Sequence, residues 1–193
     1  MSPDPIEVAL RISAILEGAG VEYLVGGSVA ASLSGVPRST MDVDMVVRLD
    51  EGKIEALVWL LGEGFYVDRE ALVRAVRERS SANLIHLESG MKVDLFVLRD
   101  HAVDQEQMRR RRKVRVAVDP DRFLFVYQPE DIVLQKLRWY RLGNESSDRQ
   151  WGDVLSVLRV TGEHIDRPYL VAAAERMDLS ELLERALAQA DGR

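Results

Sequence analysis

The chain has 193 residues, 47% of them hydrophobic and 30% charged, with a net charge of −6 and no cysteine. That length can bury a proper core as one domain or two small ones, and the composition is ordinary for a soluble globular protein. Disulfides, thiolate metal sites and cysteine nucleophiles are excluded, the negative balance argues against general nucleic-acid affinity, and no apolar run approaches the roughly 18 residues of a membrane span.

The N-terminal Met1-Ser2-Pro3-Asp4-Pro5 lacks the basic and apolar regions of a secretion signal, so a cytoplasmic location without membrane partners is the simplest expectation. Val8, Ile12, Ile15 and Leu16 share a helical face, which predicts a first helix over residues 5–16, stopped by Gly18 and Gly20. Tyr23-Leu24-Val25 reads as a short strand. Gly26-Gly27 turns the chain, and Ser28 is a candidate N-cap for a helix through Leu33, broken by Gly35-Val36-Pro37. Residues 41–47 read as a strand with Met41, Val43, Met45 and Val47 on one face and Asp42 and Asp44 on the other.

A helix is predicted over residues 53–61, a short strand at 65–67 and a charged helix at 69–78. Residues 84–87 and 91–97 read as a hairpin across Glu88-Ser89-Gly90. Val114, Val116 and Val118 alternate with polar residues, as in a further strand. The character changes near Asp119-Pro120, and beyond residue 127 the pattern is helical. Pro129 opens a helix that Gly143 closes, Ser147 and Gln150 form a capping-box pattern, and Leu179, Leu182, Leu183, Ala186 and Leu187 fall at helical spacing. The fold class expected is therefore α/β (α+β): a small mixed β-sheet flanked by helices over residues 1–127, then a C-terminal helical bundle over 128–193.

The informative motif is Gly26-Gly27-Ser28 followed, after thirteen residues, by Asp42-Val43-Asp44. Side chains at i and i+2 of a strand share a face about 7 Å apart. Two carboxylates that close repel each other and make sense around divalent metal. Small residues before a helix leave backbone N–H groups that can hold phosphate. Metal beside phosphate points to chemistry on a nucleoside triphosphate.

This motif resembles the signature of the DNA polymerase β-type nucleotidyltransferase superfamily, with Val93-Asp94-Leu95 fitting the third acidic element fifty residues after Asp44. The resemblance implies that Asp42, Asp44 and Asp94 are catalytic and coordinate two Mg²⁺ ions. Asp94 would also orient or deprotonate the attacking hydroxyl. Gly26, Gly27 and Ser28 would form the nucleotide-binding turn. Arg38 and Thr40 look similar to the Arg and Thr that enter the acidic strand in relatives; Arg38 could reach a phosphate or pair with Asp42. Lys136, with Asp148 and Asp153 after it, resembles the C-terminal helices of AbiEii-type and related bacterial nucleotidyltransferases, where a helix lysine neutralises the triphosphate. The implied enzyme moves a nucleoside monophosphate from an NTP to an acceptor hydroxyl on RNA (tRNA included), protein or a small molecule. A toxin–antitoxin or defence setting, with a cognate toxin or antitoxin, comes with that resemblance. The alternative is a non-catalytic nucleotide-binding regulator or antitoxin-like protein of the same fold. Arg109 to Lys113 is an unbroken basic run, read either as a solvated face or as a phosphate-binding strip for a nucleic-acid acceptor. His86, His101 and His164 have no metal-ligand spacing.

Overall fold

A computed structural model describes residues 4–35 and 40–192. The first helix, α1 (Pro5–Gly18), starts where Asp4 accepts a hydrogen bond from the Ile6 N–H at 2.9 Å and Pro5 fills the first helical position. It leads into β1 (Glu22–Val25), α2 (Gly27–Leu33) and β2 (Asp42–Arg48). Next come α3 (Ile54–Leu61), β3 (Phe65–Val67), α4 (Arg69–Glu78) and the hairpin β4 (Ser81–His86) and β5 (Met91–Val97). Then follow α5 (Ala102–Arg110), β6 (Arg112–Val118) and β7 (Asp121–Val126), and after these only helices: α6 (Pro129–Leu142), α7 (Asp148–Thr161), α8 (Arg167–Arg176) and α9 (Ser180–Ala190). Among the described residues no helix is long and apolar enough to cross a membrane.

The strands form one seven-stranded mixed sheet in the order β3-β4-β5-β2-β1-β7-β6. Strand β2 runs antiparallel to β1 and parallel to β5. On the core face of these central strands Val43, Met45, Val47, Val93 and Leu95 are all fully buried. Each such side chain contributes about 1.5–3 kcal/mol of transfer free energy. This burial fixes the register, because a slip of one residue would bring Asp42 and Asp44 into the core and expose the valines. Helix α1 packs on β1, β2, β7 and α3, and α4 on β4 and β5. Met41, predicted to belong to this apolar face, lies outside β2 and is 63% exposed.

The chain divides into two compact units, Met1–Val29 with Ser39–Val126, and Ala30–Arg38 with Tyr127–Arg193. In the second unit α6 packs on α7 and α8, and α9 packs on α7 and α8. Ser147 caps α7 by accepting from the Gln150 N–H at 3.3 Å, the bond the capping-box pattern predicts. The α/β sheet followed by helices is thus the predicted fold class, with two additions. Helix α5 was not predicted, because it carries no apolar stripe: its buried positions include Asp104 and Gln107 beside Val103 and Met108. Helix α8 falls in the region expected to be helical but had no bounds of its own; its buried side, Leu170, Ala173 and Ala174, is made mostly of alanine.

Candidate functional site

The parallel register of β2 and β5 sets Asp42 beside Lys92 and Asp44 beside Asp94. Side chains at register partners project from the same face, with neighbouring strands about 4.8 Å apart. The two adjacent rows Asp42–Lys92 and Asp44–Asp94 of this face therefore carry three carboxylates and one ammonium. The antiparallel partner β4 extends the second row, since Asn83 lies opposite Asp94. The predicted Asp42, Asp44 and Asp94 are thus brought together; Lys92 and Asn83 were not predicted. Lys92 was nevertheless readable, because Lys92-Val93-Asp94 repeats the period of two that relates Asp42 to Asp44.

The glycine turn is built against this face. The Gly26 N–H donates to the Asp44 carbonyl at 2.8 Å, so that donor is committed to the backbone. Gly27 has φ +55°, and a Cβ there would lie 1.7 Å from Asp44 Oδ2. Only a residue without a side chain lets the Asp44 carboxylate occupy that space. Ser28 was predicted as an N-cap, but α2 starts at Gly27, so Ser28 falls inside the first turn, where it is buried.

Each remaining carboxylate has a cationic or hydroxyl neighbour. The Thr40 hydroxyl donates to Asp42 Oδ1. The Lys92 ammonium meets Asp94 Oδ2 at 2.7 Å, while Asp94 Oδ1 is buried with no hydrogen-bond partner. The hydrogen bond it donates to Asp94 holds the Lys92 ammonium above its usual pKa, against desolvation, with further support from the charges of Asp94, Asp42 and Asp44. Hard divalent cations prefer carboxylate oxygen. A carboxylate oxygen enclosed without a donor, two more carboxylates on the same face and the close approach of Asp44 that Gly27 permits fit such a cation. Among the described residues no three acidic or histidine side chains already gather around one point.

The other predicted residues fall elsewhere or outside the description. Arg38 lies outside the described residues. Lys136, on α6, is buried, and its ammonium donates to Asp153 Oδ2 at 2.7 Å, a buried ion pair within the helical unit. Asp148 is an exposed residue in the first turn of α7. On the same unit Tyr140 stacks near Trp151 at 5.2 Å between centroids, and Arg185 covers the Trp151 ring at 4.4 Å. The basic run is divided between the end of α5 and the start of β6. Arg111 donates to the Met108 carbonyl at 2.7 Å and to Glu22 at 2.8 Å, and lies over the Phe125 ring. Lys113 sits over Phe123, and Arg115 pairs with Asp121. His86 is buried, with Nε2 3.1 Å from Arg11 and Nδ1 2.7 Å from the Ser89 hydroxyl. An arginine only donates, so Nε2 accepts and the ring is the neutral Nδ1–H tautomer. Its pKa is lowered by desolvation and by the Arg11 charge.

The mixed sheet followed by a helical unit has the nucleotidyltransferase fold, as likeness to solved structures shows. The antibiotic-resistance factor ANT(2'')-Ia, a protein with substrate-regulated conformation dynamics, aligns at a TM-score of 0.57 and 16% identity, over 95% of this chain and 98% of that one. An antigenic nucleotidyltransferase-like protein from Paracoccidioides brasiliensis aligns at 0.52 and 20% identity, over 95% of this chain and 91% of that one. No protein-family model and no curated protein matches the chain.

Proposed function

We propose that the protein is a nucleotidyltransferase that moves a nucleoside monophosphate from an NTP to an acceptor hydroxyl and releases pyrophosphate. The observation that carries this reading is the in-register placement of Asp44 beside Asp94, with Asp42 one row away on the same face and Gly27 pressed against Asp44. Divalent ions bound there, Mg²⁺ above all, would neutralise the phosphate charge and clamp the attacking and leaving oxygens of an in-line displacement. Asp42, Asp44 and Asp94 would hold those ions. Asp94, enclosed and anchored on the central parallel pair, orients the acceptor hydroxyl and accepts its proton. As that oxygen bonds to the α-phosphorus, the bond from phosphorus to the bridging oxygen breaks and pyrophosphate departs. The turn at Gly27 and Ser28 keeps bulk away from the phosphate chain, and Thr40 orients Asp42. Positioning and charge neutralisation supply most of the rate.

The acceptor belongs to one of three classes: an RNA 3′ end, a protein side chain or a small molecule such as an antibiotic. A toxin–antitoxin setting, implied by the resemblance of the C-terminal helices to AbiEii-type proteins, would favour the first two. The test is incubation with Mg²⁺ and labelled NTPs together with total RNA, cell protein or an antibiotic panel. Label transfer by the wild type and none by Asp44→Ala or Asp94→Ala is the expected result. NTP binding in calorimetry without transfer to any acceptor would instead support the non-catalytic regulator, and neither binding nor transfer would overturn both.

A further inference from the structure

Lys92 stands out beside the three carboxylates because it is a register partner of Asp42 and because of which atom it holds. Its ammonium lies 2.7 Å from Asp94 Oδ2. The other oxygen of that carboxylate, Oδ1, is shut off from solvent and has no hydrogen-bond partner. What exposure the Asp94 side chain retains, 13%, excludes Oδ1, whereas the Lys92 side chain is 45% exposed. The carboxylate is therefore the fixed member of the pair and the lysine the movable one. Lysine is a flexible stem with a compact charge and can swing into water at small cost. The register also places Lys92 beside Asp42, so the same ammonium answers the charge of both rows.

We infer that Lys92 is a built-in competitor for the divalent cation, holding Asp94 Oδ2 in the metal-free protein and giving it up when the cation arrives. This rests on the reading of Asp42, Asp44 and Asp94 as a cation site, and extends it to how that site is filled. Without a cation, three like charges on adjacent strands repel one another, and Lys92 relieves part of that repulsion. With a divalent ion bound, the ammonium is a like charge at close range and leaves. Lys92 thus stabilises the empty site and weakens the filled one, which sets the free cation concentration at which the site loads.

The experiment is calorimetric titration of the purified protein with Mn²⁺ alone, without nucleotide, alongside thermal unfolding in chelator. Lys92→Met removes the charge and keeps the stem. It is expected to bind Mn²⁺ about three- to tenfold more tightly than the wild type, the size set by one partly exposed charge pair. Its melting temperature in chelator falls, and the rise on adding Mn²⁺ grows. Lys92→Arg keeps the charge and retains the wild-type affinity to within a factor of about two. If Lys92→Met fails to fold, Lys92→Gln reads the same quantity. Unchanged or weaker Mn²⁺ binding in the neutral variants overturns the competitor role, while wild-type binding lost in Asp44→Ala leaves the cation site standing. No Mn²⁺ binding by any of the proteins overturns both. Mn²⁺ binding by Lys92→Met but not by the wild type supports the inference in its strongest form.

Discussion

On β2 and β5 three carboxylates stand on one face of the sheet, whereas along residues 109–113 five consecutive cations are scattered between a helix end and a strand. Both are concentrations of charge in the sequence, and the difference lies in their periods. Asp42 and Asp44 are two residues apart, and Asp94 reaches the same face through parallel register, so the pleat adds their fields. Consecutive residues cannot share a face. Arg109 and Arg110 close α5, where cations suit the helix dipole. Arg111 turns inward to Glu22, and Lys113 and Arg115 follow onto β6. The acidic charge is offset only in part, by Lys92 beside Asp42 and Asp94, while much of the basic charge is taken up by internal partners. Like charge gathered on one face with a single neighbouring ammonium marks the place where a ligand is expected to supply the opposite sign.

The sharpest way to break this contrast is to remove one member of the acidic face. Asp44→Ala and Asp94→Asn are each expected to lower nucleotidyl transfer by about 10³-fold or more, the loss that follows from several kcal/mol of charge stabilisation. Thermal unfolding in chelator would show little loss of stability for Asp44→Ala, because a repulsive partner has gone. A variant that unfolds early and keeps its specific activity would mark these carboxylates as structural.

How much of this was legible in the sequence follows from the same physics. The acidic rows were readable because period two on an apolar-backed strand leaves one arrangement that buries Val43, Met45 and Val47. The charged helix at 69–78 was found in full, with Asp68 capping it by accepting from the Ala71 N–H. Helix α5 was hidden because it buries Asp104 through an ion pair with Arg99 rather than through apolar contact. The pairing of β1 with β7 was hidden as well, since one parallel register partner, Val25 with Val126, joins segments a hundred residues apart. The period of two placed Lys92 on the face of Asp94, but its position beside Asp42 depends on the β2–β5 register, which joins segments fifty residues apart.

The next test asks whether the acidic face needs the space kept by the turn. Gly27→Ala would put a Cβ 1.7 Å from Asp44 Oδ2 at a backbone φ of +55°, so both the carboxylate and the backbone must shift. A destabilisation of about 1–3 kcal/mol in denaturant unfolding is expected, together with a large loss of transfer activity. In the Asp44→Ala background the clash disappears and only the backbone strain of about 1 kcal/mol remains. The two substitutions are therefore expected to be less than additive. Full additivity would mean that Gly27 is required for its backbone alone.

The smallest effects are expected in the basic run, where two residues of one stretch should behave differently. The Arg111 side chain is 19% exposed, bonds the Met108 carbonyl and Glu22, and lies 5.0 Å from the Phe125 ring centroid. Truncating it to alanine leaves a carbonyl and a carboxylate short of a donor and is expected to cost about 1–2 kcal/mol. Lys113 is exposed and sits over Phe123 at 4.4 Å, a contact expected to be worth no more than about 0.5 kcal/mol at such a site. Denaturant unfolding of Arg111→Ala and Lys113→Ala checks the pair directly. Transfer assays on the same proteins at rising salt then separate the two readings of the run. If the cations serve the fold, activity tracks the folded fraction and Lys113→Ala matches the wild type. If they hold an RNA acceptor, Lys113→Ala weakens transfer to RNA while leaving stability intact, and the salt dependence becomes shallower by about one phosphate contact. That outcome would join the two charged regions into one reaction, the acidic face handling the donor nucleotide and the basic run the acceptor.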